Sequence, residues 1–363
     1  MDRRTFIGGM TVPLVAARRQ AGIPQARTEE KILNQQEGMQ YRRLPAAGIS
    51  VSQISLGGMA MQDAVHHYAI EHGVNLVHMA SSYIGGRAIY MLGEVLKTKR
   101  DKVYLALKDD YRSLDEALKI LNTDHVDFLM FNRHDPESAR DPRIPEIFEN
   151  FKKQGKARFA GLTVHGNVKA TVAAGIQSGY YSFIMATLNQ PNLEAIGEEL
   201  NLAREKGIGI MAIKTMRGLR GLDLETAYLK KVLRNPAVTT LARGIASFEM
   251  FDAYLKASNE PLTAREDRML YRYAQANRAN NCMMCDECRQ ACPRGIAIST
   301  VLRAKDYYRD QLDDLPAALA AYREIPAGRR WAPECAGCRR CEAVCPNGIG
   351  IVARLEAARE CLA

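Results

Sequence analysis

Residues 74–131 contain three short apolar runs, VNLVHM (74–79), VYLAL (103–107) and VDFLMF (126–131), and each run precedes a longer amphipathic stretch. The stretch after the first run repeats its apolar residues at helical spacing, at Ile89, Leu92, Val95 and Leu96. Short β-branched runs that alternate with stretches of this period are typical of strands and helices in a parallel α/β fold. Because the alternation continues on both sides of this segment, it decides the fold class.

Five further runs of the strand type lie at 51–56, 158–164, 182–187, 208–213 and 238–242. Eight strands, each followed by a helix, predict an α/β fold of the (β/α)8 TIM-barrel type over residues 41–279. Periodicity alone also fits a doubly wound sheet, and the count of eight favours the barrel. In such a barrel the functional site lies where the strands end and the βα loops begin.

The last quarter of the chain repeats the pattern C-x2-C-x2-C-x3-C-P, in residues 282–293 and again in residues 335–346. This spacing is typical of [4Fe–4S] clusters, and the fourth cysteine of each block ligates the other cluster in a two-cluster ferredoxin. It therefore predicts a small ferredoxin-like domain over residues 280–363. Zinc sites or disulfides are the alternatives, but structural zinc usually takes two separated pairs of ligands. The expected metal ligands are Cys282, Cys285, Cys288 and Cys345 for one cluster, and Cys335, Cys338, Cys341 and Cys292 for the other.

The N-terminal 20 residues resemble a twin-arginine export signal, with Arg3-Arg4, then Phe6-Ile7, then a weakly apolar stretch. Iron–sulfur clusters are assembled in the cytoplasm, so a cluster protein sent to the periplasm must cross the membrane already folded. We therefore expect export through the twin-arginine translocase and a periplasmic location. An ordinary basic tail is the alternative, and it would leave the protein in the cytoplasm. The polar residues 21–40 are expected to form a linker.

The chain of 363 residues has a formal net charge of +9. No basic run is interleaved with aromatic residues, so the sequence does not indicate a nucleic-acid partner. No segment reaches 18 continuous apolar residues, so no membrane span is expected. A basic protein of this kind is mildly attracted to acidic redox partners.

Four further segments carry a resemblance to the aldo-keto reductases, specifically to the branch with a C-terminal two-cluster ferredoxin domain. They are YRRLPAAGISVSQISLGGM (41–59), GVNLVHMASSYIGGRAIYMLGEVLK (73–97), GKARFAGLTVHG (155–166) and GIGIMAIKTMRG (207–218). With the cysteine blocks, the resemblance covers about residues 41–350. It implies a barrel that carries out redox chemistry on a small carbonyl-type substrate.

The family reduces carbonyls with a Tyr, Lys, Asp and His tetrad, in which Tyr protonates the carbonyl oxygen and Lys lowers the pKa of that Tyr. The resemblance places Tyr83 on the Tyr and Lys108 on the Lys. His78 stands where the family has Asp, and Asn132 stands where it has His. A lysine without its carboxylate partner should have a depressed pKa in a barrel mouth, because burial favours the neutral amine. Asp109 or Asp110 is a candidate for the lost charge.

The resemblance also implies an NADP(H) site, with Asn189 touching the nicotinamide amide and Lys214 and Arg217 near the diphosphate. The loop that usually grips the adenosine phosphate reads RGIASFEMFD (243–252), and Ala246 and Ser247 stand where a basic residue is expected. NADP(H) binding is therefore left open.

Three histidines, His78, His134 and His165, lie at or just past the ends of neighbouring predicted strands. Their placement suggests acid–base or substrate-orienting roles, with a metal site as the weaker alternative. The insert at 297–327 has an amphipathic helical pattern and is expected to pack the cluster domain onto the barrel. Trp331 is expected to shield a cluster.

Three functions fit these residues. One is an oxidoreductase that couples carbonyl chemistry in the barrel to electron transfer through two clusters. Another is a non-catalytic electron-transfer or interaction protein with a degenerate barrel. A third is a redox enzyme that needs no nicotinamide and receives its electrons through the clusters. The retained Tyr83 and Lys108 favour an enzyme.

Overall fold

Eight parallel strands close into a barrel in the computed structural model, which describes residues 32–58, 62–108, 113–330 and 335–362. A hairpin of β1 (Tyr41–Leu44) and β2 (Ile49–Ser52) precedes them. The barrel strands follow in chain order around the ring, and β10 pairs with β3 to close it. They are β3 (Ile54–Gly57), β4 (Leu76–Ala80), β5 (Tyr104–Lys108), β6 (Val126–Arg133), β7 (Ala157–Val164), β8 (Phe183–Thr187), β9 (Gly209–Ile213) and β10 (Thr240–Arg243).

Each of the eight predicted runs contributes a barrel strand, so the TIM-barrel prediction is confirmed. The run at 51–56 is divided between two strands. Its first residues end β2, whereas Ile54 begins β3 and enters the barrel. The backbone carbonyl of Gln53, between them, accepts a hydrogen bond from Leu241 of β10, which marks the point where the chain changes partner.

The hairpin closes the N-terminal end of the barrel. Leu44, Ile49 and Val51 of the hairpin belong to the same buried cluster as the inward-facing Phe128 and Met211 of the strands. A packed lower end leaves the opposite end, where the strands terminate, as the place for a site.

Helices surround the strands, and their apolar faces are buried against the barrel. Those of the barrel are α1 (Asp63–Glu71), α2 (Ala88–Lys99), α3 (Leu114–Ile120), α4 (Pro136–Ala139), α5 (Arg143–Lys153), α6 (Val168–Ser178), α7 (Gly197–Glu205), α8 (Leu222–Arg234), α9 (Phe248–Ser258) and α10 (Ala264–Asn277).

The residues after α10 form short helices that pack on the barrel mouth and on one another. They are α11 (Glu287–Gln290), α12 (Ile298–Leu302), a π-helical segment (Arg303–Arg309), α13 (Leu315–Arg323), α14 (Arg340–Ala343) and α15 (Ile351–Leu362). The helical prediction for the insert at 297–327 is confirmed, although the π-helical turn was not expected from a 3.6-residue period.

The described part of the expected linker differs from the prediction. Asn34 donates from Nδ2 to the carbonyls of Ile70 and Val74, at 2.6 and 3.1 Å, and Met39 is only 5 % exposed. Residues 32–40 therefore pack on the barrel, because the Asn34 side chain satisfies carbonyls at and just after the end of α1 and Met39 is buried. The rest of the expected linker and the expected export signal lie outside the described residues. Among the described helices, none is long and apolar enough to cross a membrane.

Candidate active site

Three predicted catalytic residues meet at the C-terminal end of the barrel. His78 lies on β4, Lys108 ends β5, and Tyr83 begins a short 3-10 turn between β4 and α2. The Lys108 Nζ is 5.2 Å from the centre of the Tyr83 ring, and the rings of His78 and Tyr83 meet edge to face with centres 5.7 Å apart. Ile84, next to Tyr83, has a φ of +52°, which is a strained conformation for a β-branched residue.

Burial controls the protonation of this group. Desolvation lowers the pKa of Lys108 to about 8, as expected for a lysine that lacks a carboxylate partner. It also lowers the pKa of His78 to about 3, with a smaller contribution from the Lys108 charge, and it raises the pKa of Tyr83 well above 10. At neutral pH the imidazole is therefore neutral and the phenol keeps its proton. Tyr83 can donate a hydrogen bond here, but it is a weak acid.

Asn132, at the end of β6, contacts a histidine that follows it closely. The Asn132 Nδ2 lies 3.3 Å from His134 Nε2, and the His134 ring stacks on His165 with centres 5.7 Å apart. His165 in turn contacts the Thr187 hydroxyl through Nδ1, at 3.3 Å. Desolvation holds the pKa of both histidines well below 6.5, so both are neutral. With Nε2 accepting from Asn132, His134 carries its proton on Nδ1, and this atom is buried without a partner.

The three histidines do not form one cluster. His134 and His165 stack on each other, whereas His78 faces Tyr83. Among the residues that the structure describes, no group of three or more His, Cys, Asp or Glu side chains is arranged around a single metal ion. Asp109, Asp110 and Trp331 lie outside the described residues.

The three residues expected to bind a nicotinamide cofactor all contact the C-terminal part of the chain. Asn189 Nδ2 donates to the backbone carbonyl of Cys282 at 3.1 Å, and the guanidinium of Arg217, which is 6 % exposed, lies 3.2 Å from the sulfur of Met284. The Lys214 Nζ donates to the Tyr308 hydroxyl at 3.1 Å. It also lies 4.2 and 4.5 Å from the ring centres of Tyr307 and Tyr308.

These contacts leave little room above the strands. The cavity bounded by Gly58, His78, Tyr83, Lys214 and Tyr308 has a volume of about 60 Å3. Since one water molecule needs roughly 10–15 Å3 on this measure, the cavity holds a few waters and no nicotinamide ring.

The eight cysteines of the two blocks fall into two groups in space, and none of them forms a disulfide. Charge interactions link Cys282, Cys285 and Cys288 to Cys345, which is the fourth cysteine of the other block. Cys292 lines a cavity together with Cys335, Cys338 and Cys341. The grouping is the one expected of a two-cluster ferredoxin, in which each fourth cysteine crosses over.

Both blocks also repeat one backbone conformation. The residue before the second cysteine has a positive φ in each block (Met284, +61°, and Gly337, +63°), and so does the residue after it (Asp286, +69°, and Arg339, +55°). Successive backbone N–H groups in such conformations form nests that bind anions, including iron–sulfur clusters.

Backbone amides also lie close to cysteine sulfurs. The amide of Met284 donates to Cys282 Sγ and that of Ile349 donates to Cys345 Sγ, both at 3.4 Å. The donor set therefore suits a thiolate-bound cluster.

Three residues of this site were missed by the sequence reasoning: Arg303, Tyr307 and Tyr308, all from the π-helical segment. They are about 90 residues or more from the barrel loops they contact, so no local spacing points to them. The two adjacent tyrosines within the amphipathic insert are the one signal that the sequence offers.

Known proteins resemble the barrel part of this chain. Residues 57–235 match the model of the Aldo/keto reductase family. The oxidoreductase YqkF of Bacillus subtilis, itself uncharacterized, is 25 % identical over 150 residues, which cover 34 % of this chain and 49 % of that protein. The chain thus spans about half the length of this curated relative.

Solved structures show the same fold. The holo form of aldo-keto reductase AKR11C1 from Bacillus halodurans superposes with a TM-score of 0.53 at 20 % identity, covering 65 % of this chain and 96 % of that one. A thermostable aldo-keto reductase, Tm1743, gives a TM-score of 0.53 at 20 % identity and covers 65 % of this chain and all of that one. Residues 57–235, just under half of this chain, therefore match the Aldo/keto reductase family, and the barrel shares its fold with solved aldo-keto reductases.

Proposed function

We propose that this chain is an oxidoreductase in which the barrel site acts on a small carbonyl-type substrate and exchanges electrons with two [4Fe–4S] clusters held by the C-terminal cysteines. The observation that carries the proposal is the hydrogen bond from Asn189 to the carbonyl of Cys282. At the position where the family resemblance expects a nicotinamide contact, the barrel holds a residue that would ligate a cluster.

The contacts of Lys214 and Arg217 support an electron source other than NADP(H). Tyr307 and Tyr308 enclose the ammonium group, Met284 meets the guanidinium, and the volume that remains is about 60 Å3. Because these side chains are engaged by the chain itself, NADP(H) would have to displace the C-terminal segment in order to bind.

The cysteines are arranged in a way that suits an electron path. Cys282, in the first group, lies against the barrel, whereas Cys338, in the second group, is exposed. Clusters bound to these groups would supply electrons one at a time. A redox partner protein would then meet the chain near Cys338, where Arg294 and Arg339 line the adjoining cavity and favour an acidic partner.

The barrel residues would bind and polarise the carbonyl. Reduction of a carbonyl to an alcohol consumes two electrons and two protons. Tyr83 keeps its phenolic proton and offers a hydrogen bond, and Lys108, with a pKa of about 8, holds a proton at neutral pH that it can release. His134 offers a second donor from Nδ1.

Export remains part of the proposal. A twin-arginine signal in the N-terminal 20 residues would deliver the folded, cluster-loaded protein to the periplasm. An electron supply through clusters suits a compartment outside the cytoplasm, because it needs no free nicotinamide.

The second candidate is a non-catalytic electron-transfer protein with a degenerate barrel. It is favoured by His78 and Asn132, which replace two members of the family tetrad, and by the raised pKa of Tyr83.

A single-turnover experiment distinguishes the two candidates. Cluster-loaded protein is reduced with dithionite, freed of excess reductant and mixed anaerobically with a panel of small carbonyl compounds. We expect the clusters to be reoxidised as an alcohol forms, and Tyr83→Phe to slow this step at least tenfold without changing reoxidation by ferricyanide. A panel that leaves the clusters reduced, or an equal rate for Tyr83→Phe, would support the electron-transfer protein instead.

A further inference from the structure

A second cavity, of about 530 Å3, opens beside the barrel mouth between the loop after β6 and the C-terminal residues 286–329. His134 lines it from the barrel side and Arg303 lines it from the π-helical segment. Small-molecule sites have volumes of about 300–1,000 Å3, so this cavity is of suitable size. The 60 Å3 space above the strands is too small to enclose a whole ligand of this kind.

Arg303 is a buried cation without a partner among the described residues. Its side chain is 3 % exposed, and its Nε is enclosed without a hydrogen bond. A buried charge that lacks a counter-ion is strongly destabilising, so proteins rarely retain one without a role. The same arginine touches the cavity, where an anion from solution could pair with it.

The acidic side chains around the cavity are engaged elsewhere or stand at its rim. Asp286 accepts hydrogen bonds from Ser299 Oγ at 2.7 Å and from Arg289. Asp135 accepts from the backbone N and the hydroxyl of Ser138, at 2.9 and 2.7 Å. Glu137 and Glu324 are exposed. None of the four forms an ion pair with Arg303, so the counter-ion of this guanidinium has to come from outside the described chain.

Arg303 acts electrostatically on three basic side chains of the barrel mouth. Its charge contributes to the lowered pKa of Lys108, His134 and Lys214, which places it electrostatically close to all three. At Lys108 the negative charge of Glu324 acts in the opposite direction and raises the pKa. The cavity lining carries both signs of charge, so the unpaired guanidinium of Arg303, rather than a uniform field, is the feature that would attract an anion.

We propose that this cavity binds a small carboxylate-bearing substrate, whose carboxylate pairs with Arg303 and whose carbonyl lies toward His134. A guanidinium recognises a carboxylate through paired hydrogen bonds, and His134 has a donor at Nδ1 that meets no other group. The proposal rests on the function proposed above for the reaction itself, whereas the binding of the acid does not depend on electron transfer.

Calorimetric titration of the oxidised, cluster-loaded full chain tests the binding directly. Pyruvate and 2-oxoglutarate serve as charged probes, pyruvamide as the neutral counterpart of pyruvate, and inorganic phosphate as the competing anion. We expect at least one of the two acids to bind, and pyruvate to bind at least tenfold more tightly than pyruvamide. Arg303→Gln should weaken acid binding about ten- to hundredfold, the amount typical of a hydrogen bond to a charged group.

Two further variants control for folding. Arg303→Lys keeps the charge and should recover part of the affinity. Arg309→Gln makes the same change on the same segment, at a residue that pairs with the exposed Asp313 at 3.1 Å, and should leave the affinity within twofold. Cluster absorbance and the thermal midpoint identify any variant that has lost its fold. The comparison of pyruvate with pyruvamide is made on the unaltered protein, so it does not depend on the folding of any variant.

The proposal would be overturned by no binding of either acid, by equal binding of pyruvate and pyruvamide, or by unchanged affinity in a folded Arg303→Gln protein. Tighter binding of phosphate than of both acids would assign the cavity to a phosphate ligand and would overturn it as well. Because the protein stays oxidised throughout, a failure of cluster-coupled chemistry leaves this result intact.

Discussion

At the scale of single residues, the site depends on what stands at position 78. The family has a carboxylate there to hold its lysine charged, and this chain has a neutral histidine whose pKa is lowered to about 3. Lys108 forms no ion pair with a described residue, and desolvation lowers its pKa to about 8 although Glu324 acts in the opposite direction. Two substitutions in the tetrad thus change the proton chemistry without moving the tyrosine or the lysine away from the barrel mouth.

A carboxylate introduced at position 78 tests whether its absence lowers the pKa of Lys108. In His78→Asp the new charge should raise the pKa of Lys108 by about one to two units, because an opposite charge at close range favours the protonated amine. The pKa is measured from the pH dependence of Lys108 labelling by an amine-specific reagent, read by mass spectrometry. His78→Asn is the matched control and should leave the pKa near 8. An equal rise in both variants, or no rise in either, would show that the missing carboxylate is not the cause.

The lowered pKa of Lys108 also makes the free energy of unfolding depend on pH. The folded-state pKa of Lys108 lies below its ordinary value of 10.5, so the unfolded chain binds more protons between about pH 8 and 10.5. The contribution of this residue to the free energy of unfolding therefore rises with pH across that window. In His78→Asp the rise should shrink.

At the scale of secondary-structure elements, the π-helical segment Arg303–Arg309 decides which ligands reach the barrel. It places Tyr307 and Tyr308 around the Lys214 ammonium group and leaves Arg303 at the edge of the larger cavity. The wide turn of a π-helix is common at functional sites, and here it brings residues of the insert over the ends of the strands.

Removing the two rings should open the barrel mouth. In the double variant Tyr307→Ala and Tyr308→Ala, Lys214 is freed and the cavity grows, so we expect measurable NADPH binding by nicotinamide fluorescence. Tyr271→Ala is the control, because that ring is 66 % exposed on α10. Tight NADPH binding by the unaltered protein would show that the tyrosines do not close the site.

The two cysteine groups make a separate prediction. Cys338→Ser removes one ligand of the second group, so about half of the bound iron should be lost while the first cluster stays. Cys361→Ser changes a cysteine of α15 that lies outside both groups and donates to the Ala357 carbonyl at 3.4 Å, and it should keep all the iron. Iron analysis and electron paramagnetic resonance of the reduced protein measure both. Equal iron content in the two variants would contradict the grouping.

The sequence predicted some of these features and not others, for physical reasons. The barrel was predictable because strand and helix periods are local, and all eight runs became strands. The depressed pKa of Lys108 followed from one missing charge. The roles of Tyr308 and Arg303 were not predictable, because they depend on how the C-terminal segment packs on loops distant in the chain. The packing of residues 32–40 was missed for the same reason, since polar residues such as Asn34 can cap a helix end as readily as form a linker.

At the scale of the whole molecule, the chain joins a barrel with the fold of the aldo-keto reductases to a C-terminal segment that packs on the barrel mouth. In the proposed function, electrons enter near the exposed Cys338, pass to the group that contains Cys282 and reach the substrate at the barrel mouth. The contacts that connect the two parts, such as Asn192 Nδ2 to the Met283 carbonyl at 3.2 Å, hold the path in place.

The most direct test is an anaerobic titration of the cluster-loaded protein with NADPH, NADH and dithionite, in which nicotinamide and cluster absorbance are followed together. We predict that dithionite bleaches the clusters and that neither nicotinamide is oxidised. Oxidation of NADPH with matching bleaching of the clusters would contradict it, because a nicotinamide would then reach the barrel despite Tyr307 and Tyr308.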